Sequence, residues 1–499
     1  MEIKNDIKWL KERKFVTEIG TPDKLNTRNE LRSYITQVGI GFQLGDEVSD
    51  EGGSSDMYSS QYLTFEVLGD GTFSFSKDGL SYSLDNGTSW NTLSANTNIT
   101  VSNGDKVLFK GEYTNTTASI GKFAMRSKFN ISGNIMSLLF GDNFVDKTDL
   151  TGYKSVFDHL FEGTSVVDAS KLVLPATILS EWCYGRMLYN CTSLTTAPVL
   201  PATVLASNCY NSMFSGCTSL IAAPELPATT LVYYCYSNMF SGCTSLIAAP
   251  ELPATTLAGS CYSNMFYGCT SLIAAPELPA AELEGYCYNG MFNSCTSLTT
   301  APELPATTLA ASCYVDMFHG CSSLTAAPEL PATTLASSCY NSMFYGCTSL
   351  TAAPELPATD FQSSPRATYC CQSMFYGCSS LTTAPSVLPA TELVNFCYSS
   401  MFNGCTSLTT APKLPATTLV NGCYNKMFSG CSKLNHIEAV FTTTPNTLYT
   451  DSWVSGVSNT GTFVKNAAAT WDVTGTSGIP EGWTVMTVVV DAPAQPLNA

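Results

Sequence analysis

The chain has 499 residues, 40 of them acidic and 23 basic, giving a net charge of -17, with 44% hydrophobic and 13% charged residues. That length exceeds one compact core and calls for several domains or a repeat array, while the negative balance argues against a nucleic-acid surface or an anionic-membrane anchor. Only three histidines occur, His159, His319 and His436, and no apolar run approaches the ~20 residues of a membrane helix, which argues against a His-built metal enzyme and against membrane insertion.

Residues 1–55 come first. Met1 to Val16 read MEIKNDIKWLKERKFV, charged throughout and without the apolar core of a secretory signal, so the expectation is a chain made in a reducing cytoplasm. Ile7, Leu10, Val16, Ile19, Leu31 and Ile35 fall at helical intervals and predict a mixed-charge helical arm, followed by a Gly/Ser/Asp linker from Gly45 to Ser55. Residues 56–150 alternate apolar and polar positions between tight-turn signals at Gly69-Asp70-Gly71, Asp85-Asn86-Gly87 and Asn103-Gly104-Asp105. They predict a small antiparallel β domain.

From Cys183 to Cys431 the chain is one unit copied ten times, and all 21 cysteines lie there. The period is 26 residues, broken by five extra residues before Cys370 and by one near Ser386, and the second cysteine of each copy follows the first by eight residues. The unit reads C-Y-x-x-M-F-x-G-C-T-S-L-x-x-A-P-x-L-P-A-T-x-L-x-x-x, and Cys371 is the one cysteine outside it. Cys, Tyr, Met and Phe at i, i+1, i+4 and i+5, with Gly near the end, predict a short helix. The S-L-x-x-A-P segment predicts a short strand that stacks on the next coil, and eighteen of the 25 prolines mark coil corners beside it. Residues 151–182 repeat the pattern without cysteines, at Phe157, Leu160, Phe161 and Gly163, and predict an N-terminal cap; residues 435–499, with Trp453, Trp471 and Trp483, predict a strand-rich C-terminal cap ending in a loose tail.

The fold class that follows is an α/β solenoid with one short strand and one short helix per coil. Its L-P-x-x-x-L-x-x-x-C-Y-x-x-M-F-x-G-C-x-S-L register over about Phe157 to Phe441 resembles the leucine-rich repeats of the BspA-like type, with Met at the usual Ala, an added Cys and a longer coil. The order of arm, β domain, Cys-rich repeat and closing G-I-P-x-G-W-T-V from Gly478 to Val485 resembles virion surface proteins encoded by phages of gut Bacteroidales.

The cysteine ladder admits inter-coil disulfides, metal sites or buried thiols. A spacing of C-x7-C matches no zinc motif, disulfides are geometrically possible, and the expected reducing start favours free buried thiols at Cys209, Cys217, Cys235, Cys243, Cys261 and Cys269 and their counterparts. Glu225, Glu251, Glu277, Glu303, Glu329 and Glu355 form an acidic ladder, read as a solvated edge with calcium binding as the rival. Ligand candidates come from the two positions that vary between copies. The residue before the first cysteine supplies Tyr234, Tyr286, Tyr369 and Phe396, and the residue after Met-Phe supplies Tyr267, His319, Tyr345 and Tyr376. Aligned rings suit glycan or protein recognition, while helix-edge packing is the plainer account.

No nucleophile elbow, phosphate loop or catalytic carboxylate pair stands out, so no catalytic, cofactor-binding or metal-ligating residue is assigned and no enzyme is expected. The second resemblance implies a phage virion protein, a head or tail fibre or capsid decoration, attached to other virion proteins through residues 1–55 and presenting the solenoid to a host-surface glycan or protein. Such fibres are homo-oligomers, often trimers. The alternatives are a bacterial cell-surface adhesin of the BspA-like kind and a capsid cement protein without a receptor.

Overall fold

The computed structural model describes residues 56–113, 118–359, 361 and 368–490. The helical arm expected before residue 56 and the tail expected from residue 491 lie outside these. The chain divides into two compact units, one of Met1–Ala228, Met239–Leu252 and Cys269–Pro276, the other of Thr229–Asn238, Pro253–Gly268 and Glu277–Ala499.

The first unit opens with a single turn of helix, α1 (Asp56–Ser59), and strands β1 (Leu63–Val67), β2 (Gly71–Phe75), β3 (Leu80–Ser83), β4 (Asn91–Leu93), β5 (Ile99–Val101), β6 (Lys106–Gly111), β7 (Phe123–Met125) and β8 (Phe129–Asn134). A second helical turn, α2 (Ser137–Phe140), and β9 (Lys171–Val173) follow. The strands form a six-stranded sheet, β4-β3-β6-β1-β8-β9, and a three-stranded sheet, β5-β2-β7. The turn at Gly69-Asp70-Gly71 thus carries the chain from one sheet to the other. Alternation along β1 and β2 turns Phe65, Phe73 and Phe75 inward onto Phe109, Phe123 and Phe129, all at most 1% exposed. Pairing within the sheet is antiparallel except that β8 joins β9 in parallel. Phe161 stacks on Phe123 at 5.7 Å, so the residues after 150 share the sandwich core.

The repeats correct the expected helix. In each copy the backbone turns left-handed every fourth residue, as at Asn208, Ser212 and Gly216, or Ser338, Ser342 and Gly346, with φ between 53° and 76°. A right-handed helix contains no such residue. Amide hydrogens instead alternate in destination. Those of Cys339, Asn341, Met343 and Tyr345 reach back three residues within their own coil, whereas those of Tyr340, Ser342, Phe344 and Gly346 cross to carbonyls of the following coil at 2.7–2.9 Å. Tyr184, Arg186, Leu188 and Asn190 cross in the same way in the first unit. Each coil is therefore a run of linked β-turns with a repeat of four, which places Cys, Met and the second Cys on one inward line.

The predicted strand shrinks to single-residue parallel bridges, Ala222 to Ala248 and Ala248 to Ala274 in the first unit and Thr300 to Ala326 in the second, and a further bridge, Thr308 to Thr334, forms after the Leu-Pro step. The prolines around it explain the shortening, because each lacks the N–H that would extend the ladder. Identical side chains stack from coil to coil. Phe214 meets Phe240 at 5.6 Å, Phe292 meets Phe318 at 5.7 Å, and Tyr262 meets Tyr288 at 5.8 Å. The second unit closes with a parallel sheet of β10 (His436–Ala439), β11 (Thr462–Asn466) and β12 (Thr484–Val488). There Trp453 is fully buried and donates its indole N–H to the Gly478 carbonyl at 2.8 Å.

Candidate recognition surface

The two cysteine columns differ in chemistry. In the second column the thiol donates across the coils, from Cys217 to the Leu188 carbonyl, Cys243 to Phe214, Cys321 to Phe292 and Cys347 to Phe318, each at 3.1 Å. First-column contacts of this kind are long, 3.9 Å at Cys339 and 3.8 Å at Cys423. All 21 cysteines are buried thiols, including Cys209, Cys217, Cys235, Cys243, Cys261 and Cys269. Desolvation pushes the thiol of Cys183 up to about 12, of Cys191 to about 11 and of Cys243 to about 12. Among the described residues no group of three or more His, Cys, Asp or Glu is placed to hold a metal ion. The Glu ladder is exposed; Glu355 accepts from the Ser386 amide at 2.9 Å and its hydroxyl at 3.0 Å.

The aromatic candidates separate into stacks and singletons. His319, Tyr345 and Tyr376 form one stack, with centroids 4.5 Å apart at both steps and Tyr345 and Tyr376 within 1° of parallel. Burial, and then the neighbouring Tyr376, raises the Tyr345 hydroxyl above its ordinary pKa. Tyr369 stacks on Phe396 at 5.1 Å, and the Phe396 ring takes up the space that a Cβ on Gly422 would need. Stacked rings spend their faces on one another and offer mainly edges to a partner.

Tyr234, Tyr267 and Tyr286 have no aromatic neighbour in their own columns, where Ser260, Asn293 and Ser312 follow, and they are 45%, 44% and 52% exposed. The backbone at Tyr234, Tyr286, Tyr369 and Phe396 is left-handed, with φ of 56–61°, at a position that other copies give to Asn208, Ser260 or Gly422. Holding a non-glycine residue there costs roughly 1–2 kcal/mol, and an exposed ring recovers little of it by burial. Tyr233, 60% exposed, was not singled out from the sequence; its ring packs where Gly259 leaves room, 3.0 Å from the place of a Cβ. The available signal was a ring in a column that holds Glu181 in the first copy and only Ser, Gly, Ala, Thr or Asn in the rest.

Among the described residues no helix is long and apolar enough to cross a membrane. The sequence pattern described as "BspA type Leucine rich repeat region" matches residues 152–273, 207–351 and 353–452, well over half of the chain. No curated protein matches. Among solved structures, a leucine-rich repeat protein from Bacteroides ovatus ATCC 8483 is 20% identical, with 65% of this chain and 85% of that one covered and a TM-score of 0.34. A leucine rich cell surface protein from Faecalibacterium prausnitzii A2-165 is 16% identical, with 69% and 90% covered and a TM-score of 0.28. The repeat unit, its stacked Cys, Phe and Leu positions and the matched span coincide, and the chain belongs to the BspA-type leucine-rich repeat family.

Proposed function

We propose that this protein is a non-enzymatic recognition protein displayed at a bacterial cell surface, an adhesin whose repeats engage a host-surface protein or glycan. The observation that carries the reading is the set of exposed rings at Tyr234, Tyr286 and Tyr369, on the left-handed position common to every coil. An exposed ring gains little from folding, and a partner that covers these rings accounts for their placement. Membership of the repeat family supports a binding role, since a stack of like coils supplies a regular surface. The virion reading, with attachment through residues 1–55 and a homo-oligomeric fibre, rests on the layout of the sequence alone.

The test joins location to binding. Antibody against the protein should label the envelope of intact source bacteria, and the purified full chain should bind host epithelial cells. Tyr234→Ser with Tyr286→Ser should reduce that binding at least about tenfold, the loss of one or two anchoring rings, without lowering the melting temperature. Labelling confined to phage particles, or cell binding untouched by the double substitution, would sink the proposal.

A further inference from the structure

The outer face of the six-stranded sheet carries a cleft of ≈ 600 Å³, to which Asp168 and Lys171 of the cap contribute and the aromatic columns do not. Strand register arranges its walls in two rows. Leu108, Thr64, Ser132 and Lys171 lie opposite one another on β6, β1, β8 and β9, and Lys106, Glu66 and Asn130 form the adjacent row on β6, β1 and β8. Neighbours within a row stand about 5 Å apart and the rows about 7 Å apart, the scale of one or two sugar rings. Tyr58, Tyr62 and Asp168 also line it.

The polar groups here are only partly satisfied from within. Half-buried Glu66 receives a long 3.5 Å contact from the Asn130 amide, and among the described residues it forms no ion pair with Lys106, although the strands set the two directly opposite. The Thr64 hydroxyl donates to the Tyr62 carbonyl at 2.8 Å and remains an acceptor toward the cleft. The ring wall is fixed beforehand: the Lys171 ammonium lies 5.7 Å from the Tyr58 centroid, and Tyr62 packs edge-on against Trp90 at 5.0 Å while its hydroxyl donates to Asp142 at 2.8 Å.

The charges select the ligand. Lys106 and Lys171 balance Glu66 and Asp168, so a phosphate would meet two carboxylates and a cation two ammonium groups. A sugar hydroxyl both donates and accepts and is matched by either kind of neighbour. We infer that this cleft binds a neutral saccharide: Glu66 accepts from adjacent hydroxyls, Asn130 and Lys106 donate to others, and Tyr58 covers a C–H face of the ring. The site is separate from the aromatic columns, and its failure would leave the adhesin reading standing.

The experiment titrates the full-chain protein with methyl glycosides of glucose, galactose, mannose and N-acetylglucosamine by ligand-observed NMR. At least one should bind, and Glu66→Gln and Asn130→Ala should each weaken it about tenfold, as loss of one hydrogen bond to a charged or well-placed group does. Thr100→Ala, exposed on β5 of the other sheet, should leave binding and melting unchanged. If Glu66→Gln does not fold, Lys106→Met at the exposed rim supplies the same readout. Absence of binding by every glycoside, or binding that survives the cleft substitutions, overturns the inference.

Discussion

In the sandwich Phe65 meets Phe109, Phe123 and Phe129 at interplanar angles of 44–69°, and Phe73 meets Phe109 at 86°. In the repeat Phe292 meets Phe318 at 6° and Tyr314 meets Tyr340 at 6°. An ordinary core lets each ring choose the tilted or edge-on geometry that ring quadrupoles prefer. A column of equivalent residues has no such freedom, because each coil presents the same side chain in the same rotamer. The repeat gives up the preferred angle and gains register: a misplaced coil would put a ring against a cysteine or a glycine.

The largest divergence between the two regions should appear at alkaline pH. The sandwich has no cysteine, whereas the coils bury thiols whose desolvation raises them from an ordinary value of about 8.5 to about 11 at Cys191 and about 12 at Cys431. A raised acid is stabilised in its protonated, folded form, so its contribution is complete below about pH 8.5 and is lost as pH rises toward about 12. Hydrogen-exchange mass spectrometry should show repeat peptides losing protection across that window while sandwich peptides keep theirs. Loss from both regions together, at the same pH, would remove the thiols as the cause.

A smaller effect should separate the two cysteine columns. Cys347 donates to a carbonyl at 3.1 Å, and serine can keep that bond; Cys313 sits between the first-column cysteines of its neighbours, where a hydroxyl would be buried in apolar surroundings. Cys313→Ser should therefore cost about 1–3 kcal/mol and Cys347→Ser distinctly less, measured by urea unfolding. Equal costs would mean that the thiol bonds of the second column contribute nothing.

The smallest effect concerns the one coil that departs from the pattern. Cys371 occupies the tyrosine position there, and Phe361, 1% exposed in place of the usual leucine, packs edge-on against Tyr398 at 5.6 Å. Phe361 thus meets the tyrosine that follows Cys371 in its column. Phe361→Leu should cost about 1 kcal/mol, Cys371→Tyr should cost more through overpacking, and the double substitution should cost less than their sum. An additive cycle would show that the two positions are independent.

Much of the repeat was legible because its spacing is physical. Stacked Cys, Met, Phe and Leu had to face inward, and Gly346 sits at φ 70° where a Cβ is disfavoured. The helix was misread because i, i+1, i+4, i+5 fits a period of four as well as 3.6 over so short a stretch. The third inward residue, Cys347, falls eight after Cys339, and that second step of four carried the information. The cleft was not legible. Glu66, Lys106 and Asn130 are scattered along the chain, and only strand register brings them into one row.

The crossing amides also bear on how such a protein meets mechanical load. A coil is tied to the next by rungs such as those from Tyr340, Ser342, Phe344 and Gly346, formed one after another along the turn. Tension on the chain would open them in sequence, like a seam, instead of shearing them all at once. Each opened coil of 26 residues would release about 80–90 Å of extended chain. An array of this kind pulled from its ends would lengthen in discrete steps, keeping the untouched coils folded and their rings in place.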